Sequence, residues 1–192
     1  MVNNENTFKD EQYWNNFYKN SHLLKPSSFT KFVKPFLPKS GKIIEFGCGN
    51  GRDTYHWAKE GYTIVGIDSS NQPMNKTNVT FIKSDLIKYT RNYNCNLYDI
   101  VYSRFFLHSI NNTEIDLLLN WSSGLFIAEF RAKEDVPLLY PNHYRNLIDG
   151  NDFLNLLIEK QFNIIHYSKS NGVAKFKQEN PIVIRIIAKK EK

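Results

Sequence analysis

One short stretch restricts the fold more than any other: Ile43-Ile44-Glu45-Phe46-Gly47-Cys48-Gly49-Asn50-Gly51-Arg52-Asp53, an apolar run that stops at alternating glycines. An apolar run bounded by glycine reads as a buried strand, and the glycines after it let the backbone turn sharply and approach a ligand. A strand, a glycine turn and a helix in succession mark an α/β fold whose ligand sits at the strand's carboxyl end. A nicotinamide-dinucleotide turn would carry its third glycine at position 52, but this chain has Arg52 there and Gly51 one place earlier. Glu45 before the turn and Asp53 after it would repel a pyrophosphate and suit a ligand that carries positive charge.

The rest of the chain repeats the alternation. Short apolar runs predict seven strands, at Lys42 to Phe46, Thr63 to Ile67, Val79 to Lys83, Asp99 to Ser103, Leu125 to Phe130, Phe162 to Ser168 and Pro181 to Ala188. Helical spacing predicts helices at Lys9 to Tyr18, from Ser27 or Ser28 to Pro38, and at Thr54 to Glu60, closed by Gly61. Two more are predicted at Thr113 to Trp121 and Asn151 to Lys160, the latter capped by Asp149 or Asn151. Strands alternating with helices argue for a mostly parallel sheet covered on both faces, a three-layer α/β sandwich. Between the last two strands lies a polar stretch with no apolar helix face, so the last strand is expected to return antiparallel at the sheet edge. The 192 residues suit one domain spanning 1–192, and no repeat or Gly/Ser linker divides them.

Several function classes are disfavoured. The formal charge is +6, but the basic residues are dispersed rather than striped, which speaks against a nucleic-acid partner. No apolar run approaches the length that spans a bilayer and the first residues do not read as a signal peptide, so no membrane partner and a cytoplasmic location are expected. Cys48 and Cys95 have no second Cys or His at ligand spacing, so no metal site is expected.

With these residues in view, Glu45 to Asp53 resembles motif I of the class I S-adenosylmethionine-dependent methyltransferases, and the chain from Lys42 onward follows that family's order. Gly66-Ile67-Asp68-Ser69-Ser70 resembles the second motif, implying that Asp68, with Ser69 beside it, binds the ribose hydroxyls of S-adenosylmethionine. Lys83-Ser84-Asp85-Leu86 resembles the end of the third strand, implying that Asp85 meets the adenine amino group and the Leu86 amide a ring nitrogen. Tyr98 to Ser103 resembles the fourth motif, whose final carbonyl, at Ser103, would hold the methionine ammonium. The resemblance assigns Glu45, Gly47, Gly49, Gly51 and Asp53 to the cofactor loop. It also makes 1–40 a helical lid over a Rossmann-like core at 41–192, with Tyr13, Trp14 and Phe29 over the cofactor.

Methyl transfer needs alignment above all, and a hydroxyl acceptor also needs its proton removed. His108 and Glu129, in segments following the predicted fourth strand and ending the fifth, and His143 in the long loop beyond, are the candidate bases. Arg131 and Arg145 are the candidates for holding an anionic or hydroxyl-rich acceptor. The Gly-Asn-Gly-Arg-Asp turn, the Tyr-Trp and Pro-Ser-Ser-Phe leader, His143-Tyr144-Arg145 and the ending Asn180 to Ala188 resemble small methyltransferases of surface-glycan biosynthesis. That likeness implies O-methylation of a sugar or nucleotide-sugar, with a homodimer allowed. The first part of the chain is also similar to tellurite- and thiol-detoxifying methyltransferases, whose acceptors need no strong base. A nucleic-acid methyltransferase, or its non-catalytic binding subunit, is the remaining alternative.

Overall fold

A computed structural model describes residues 4–20, 25–135 and 144–191. Its centre is a seven-stranded sheet of β1 (Lys42–Phe46), β2 (Thr63–Asp68), β3 (Val79–Lys83), β4 (Ile100–Arg104), β5 (Leu125–Arg131), β6 (Phe162–Ser170) and β7 (Val183–Lys190). The order across the sheet is β3-β2-β1-β4-β5-β7-β6. Strands β1 to β5 pair in parallel, and β7 lies antiparallel between β5 and β6. Only β7 runs against the rest, as expected from the polar, helix-free connection before it.

Alternation along the strands sorts side chains into two cores. Ile44 and Phe46 of β1 point to one face, where they meet Leu86 and Tyr89 of α4 (Leu86–Asn92), Leu118 of α5 (Asn112–Trp121) and Phe153 of α6 (Gly150–Glu159). Ile43 points to the other, beneath Phe29 and Val33 of α2 (Ser28–Val33) and Trp57 of α3 (Arg52–Lys59). Glu45 shares the parity of Ile43 and so enters the α3 side of the sheet. A leading helix, α1 (Asn4–Asn20), completes the set.

Helix ends follow local chemistry. Asn111 and Glu114 form a reciprocal capping box on α5, and Asp149 rather than Asn151 caps α6 by accepting from Asn151 N and Asp152 N. The sequence reading placed no helix at Leu86 to Asn92, although Asp85 caps it and Leu86 and Tyr89 share its buried side. The second helix stops short of Pro38: the α-helix ends at Val33, and Pro35 sits in a 3₁₀ segment over Lys34–Phe36.

Strand order reverses at β1, since β2 lies on one side of it and β4 on the other. The loops leaving their carboxyl ends diverge to opposite faces and open a crevice there. No helix among the described residues is long and apolar enough to cross a membrane.

Candidate functional site

The crevice is a cavity of about 760 Å³ over the turn after β1. The turn is fastened to β2: Gly47 N and Cys48 N both donate to Ile67 O, at 2.8 and 3.1 Å. Asp68, at the end of β2, accepts from Gly49 N at 2.8 Å through Oδ2 and from Ser70 N at 2.9 Å through Oδ1. Both carboxylate oxygens are thereby oriented while each keeps accepting capacity. Gly47 and Gly49 have φ of +75° and +53°, the left-handed region that glycine enters without strain.

Two buried carboxylates, Glu45 and Asp53, line the cavity. Thr54 Oγ1 donates to Glu45 at 2.6 Å. Burial, and then the neighbouring Asp53, hold the Glu45 carboxyl well above its ordinary range. Asp53 accepts from Ser27 N at 2.7 Å, Ser27 Oγ at 2.6 Å and Tyr102 Oη at 3.0 Å. Ser27 stands at the N-cap position of α2, but its hydroxyl serves Asp53 instead of the helix. A pair of carboxylates sharing one wall fits a cationic ligand and opposes an anionic one.

Helix α1 lies across the opening. Tyr13, Trp14, Phe17 and Tyr18 line the cavity, and Asn15 Oδ1 accepts from Asn71 N at 2.6 Å beyond the end of β2. The Tyr18 ring rests on Gly49: a Cβ added to that glycine would lie 2.2 Å from the ring's Cζ. Burial, followed by the charges of Asp68 and Cys48, raises the Tyr18 phenol well above its usual value. Phe29, expected over the cofactor, is instead fully buried against Tyr102, with ring centroids 5.5 Å apart. It anchors the leader to the sheet and does not line the cavity.

The residues proposed to act on an acceptor divide. His108, Arg131 and Arg145 line the cavity; His143 lies outside the described residues. His108 Nδ1 accepts the backbone N–H of Arg131 at 3.3 Å, which places the neutral ring's proton on Nε2 and makes the imidazole a donor rather than a base. Glu129 is not in the cavity wall. It is fully buried between Arg104, whose Nε lies 2.8 Å from Oε1, and Arg185, which reaches Oε2 at 2.7 and 2.8 Å. With both oxygens engaged by arginines in the interior and neither facing the cavity, Glu129 is not placed to reach an acceptor, so the expectation for it is corrected. Arg131 is itself paired with Asp135 at 2.7 Å and with Glu179. Burial and then Arg131 depress the Arg145 guanidinium, and Arg52 is lowered by burial and then by Arg104.

Other expected cofactor residues sit at the rim or away from it. Asp85 spends Oδ1 on Lys88 N at 2.7 Å as the cap of α4, Leu86 buries its side chain in the core, and Ser69 is exposed. None of the three lines the cavity, nor do Gly49, Asp68 and Ser103, nor Gly51, whose Cα faces Phe81. Ser103 is fully buried at the end of β4, with an Oγ that has no partner among the described residues.

Several lining residues escaped the sequence reading. Arg52 and Ser27 lay inside motifs read for their neighbours. Phe105 carries φ of +54°, a conformation that costs a bulky residue roughly 1–3 kcal/mol and tends to occur at functional sites. Its ring lies beneath Arg104 at 4.4 Å and edge-on to His108 at 5.5 Å. The β6–β7 connection contributes Val173, Lys175, Phe176 and Glu179, with Phe176 6.0 Å from Phe17 of α1. A polar linker gives no local sign that it will fold back over a site.

Residues 18–125, more than half of the chain, match the family described as "Methyltransferase domain". A stretch of 44 residues is 34% identical to YqeM of Bacillus subtilis (strain 168), designated a candidate methyltransferase; it covers 23% of this chain and only 18% of that relative's length. A crystal structure of Burkholderia thailandensis 1,6-didemethyltoxoflavin-N1-methyltransferase, with bound 1,6-didemethyltoxoflavin and S-adenosylhomocysteine, superposes with a TM-score of 0.72. The identity is 15%, over 98% of this chain and 87% of that one. Haemonchus contortus phosphoethanolamine N-methyltransferase 2, in complex with phosphomonomethylethanolamine and S-adenosylhomocysteine, superposes at 0.66 with 15% identity, over 94% of this chain and 57% of that one. At such identities the likeness is one of fold.

Proposed function

This chain belongs to the methyltransferase-domain family, and from that premise we propose that it transfers the methyl group of S-adenosylmethionine to a small-molecule acceptor. The observation that carries the reading is the Glu45 and Asp53 pair on the cavity wall, beside a glycine turn whose amide is held by Asp68. S-adenosylmethionine, when bound, supplies an electrophilic methyl on a positively charged sulfur. Its ammonium and sulfonium suit the two carboxylates, as a dinucleotide's pyrophosphate would not. In this reading Asp68, beside the turn, accepts from the ribose diol with the lone pairs that its two amide partners leave, and Tyr13, Trp14 and Phe17 offer ring faces to the cation and exclude water. Helix α1 is read as the lid of this site.

The finer reading is O-methylation of a sugar or nucleotide-sugar in surface-glycan synthesis. It is supported by the basic residues of the wall: Arg104 and Arg131 are paired with Glu129, Asp135 and Glu179, and Lys25, Arg52, Arg145 and Lys175 stand beside them. Such a wall suits an acceptor bearing a carboxylate or phosphate. A thiol acceptor is the second reading, favoured by the commitment of His108 Nδ1 and Glu129 to internal partners. A hydroxyl acceptor would call on a different carboxylate.

Calorimetry with S-adenosylhomocysteine tests the cofactor, and a screen of acceptors with methyl-labelled S-adenosylmethionine, scored by mass spectrometry, tests the transfer. Binding of a nicotinamide dinucleotide with no binding of S-adenosylhomocysteine would overturn the reading.

A further inference from the structure

Glu179 lies in the connection between β6 and β7, held in a tight turn by reciprocal backbone bonds between Phe176 and Glu179 at 3.0 and 2.9 Å. Its side chain is 10% exposed and lines the cavity. Oε2 forms a close ion pair with Arg131, whereas Oε1 is buried with no hydrogen-bond partner among the described residues. Buried carboxylate oxygens are ordinarily satisfied, so an orphan beside a cavity marks the place of a donor that no described residue supplies. The surroundings narrow that donor's chemistry. Arg131 and Arg145 both line the cavity, close enough that Arg131, after burial, raises the cost of the Arg145 charge. Lys175 adds a further cation on the same connection, and Phe17 and Phe176 present rings 6.0 Å apart. One acceptor oxygen among cations and aromatic faces matches a molecule carrying a hydroxyl next to an anionic group.

We propose that Glu179 reads the methyl acceptor, Oε1 taking a hydrogen bond from its hydroxyl while the Arg131 and Arg145 side receives its anionic group; the acceptor is a hydroxylated anion of the sugar-phosphate type. This rests on the methyltransferase reading of the same cavity. Glu179 then orients the acceptor hydroxyl through Oε1 while Arg131 holds Oε2, a positioning role and not that of a base. It also explains why the β6–β7 connection folds over the cavity: Ser28 Oγ and Arg185 Nη2 both donate to Val173 O, at 2.6 and 3.2 Å, and tie its base to the leader and the sheet.

The test is calorimetry on the full chain saturated with S-adenosylhomocysteine, using three probes: α-D-glucose 1-phosphate, inorganic phosphate and methyl α-D-glucoside. Wild type should bind glucose 1-phosphate at least tenfold more tightly than either fragment. Glu179→Gln, which keeps an oxygen for Arg131, should lose about tenfold for glucose 1-phosphate and leave phosphate within twofold, matching the gap between charged and neutral hydrogen bonds. Glu179→Ala should lose more, with thermal melts confirming that both variants are folded. A merely structural Glu179, acting by holding Arg131, would weaken phosphate and glucose 1-phosphate together, and that result overturns the proposal. So does glucose 1-phosphate binding that is unchanged in Glu179→Gln, or no tighter than phosphate in wild type. Failure of wild type to bind S-adenosylhomocysteine is a separate outcome that removes the methyltransferase reading itself.

Discussion

The ring of Tyr18 lies on the backbone of Gly49, 2.2 Å from where a Cβ would stand. The glycine that lets a ligand approach is thus covered by a side chain of α1, next to the Asp68 carboxylate that binds the Gly49 amide. For the cofactor to use this surface the ring must shift, and burying an aromatic side chain is worth roughly 1.5–3 kcal/mol. Tyr18→Ala should therefore tighten S-adenosylhomocysteine binding by about tenfold in calorimetry. Trp14, stacked on Tyr18 at 5.9 Å, should change its fluorescence when wild type binds. Weaker binding by Tyr18→Ala would show that the ring clasps the cofactor instead of competing with it.

Glu45 predicts a proton linkage. Burial and Asp53 raise its folded-state pKa above the unfolded value of about 4.3. Between those two values the folded chain holds a proton that the unfolded chain has shed, so stability is fullest below the lower one and declines as pH rises toward the upper. Glu45→Gln should flatten that decline in thermal melts across the window. A cationic ligand favours the ionised carboxyl, so S-adenosylmethionine binding should release protons. Binding enthalpies measured in buffers of different ionisation enthalpy would report the number, and no buffer dependence would count against a cation seated at Glu45.

Asp68 joins the turn after β1 to the end of β2 through two backbone amides. Asp68→Ala should weaken cofactor binding by about 2–3 kcal/mol, the range for losing charge-assisted hydrogen bonds. Asp68→Asn should recover part of this, since its amide oxygen still accepts one bond.

Glu129 tests structure against catalysis. Removing it strands Arg104 and Arg185 beside each other in the interior, and breaking a buried ion pair costs about 3–5 kcal/mol. Glu129→Ala should lower the melting temperature by a large margin at neutral pH. A stable Glu129→Ala protein that had lost only turnover would return Glu129 to the catalytic residues.

The sheet and most of its helices were legible because their causes are local. Strand period, glycine turns and caps act over a few residues, and the β1 boundaries came out as expected while β4 and β7 shifted by one or two. The positions of Asp68 and Glu45 at strand ends were legible for the same reason, and of the two Glu45 lines the cavity. Asp85 was ambiguous locally, because a carboxylate before an apolar turn serves equally as a helix cap, and the cap is its observed role. Residues whose partners are distant in sequence were not legible. Glu129 looks like a base until Arg104 and Arg185 close on it from two other strands, and Phe29 looks like a cofactor lid until Tyr102 receives it in the core. Glu179 reached the cavity only because the antiparallel return of β7 folds the connection back over the carboxyl ends of the parallel strands. The sequence by itself determined the sheet, the glycine turn and the carboxylates at its ends, since these need only neighbouring residues. Tertiary structure alone decided which charged side chains became buried pairs and which line the cavity, since burial and pairing depend on contacts between segments that no local pattern records.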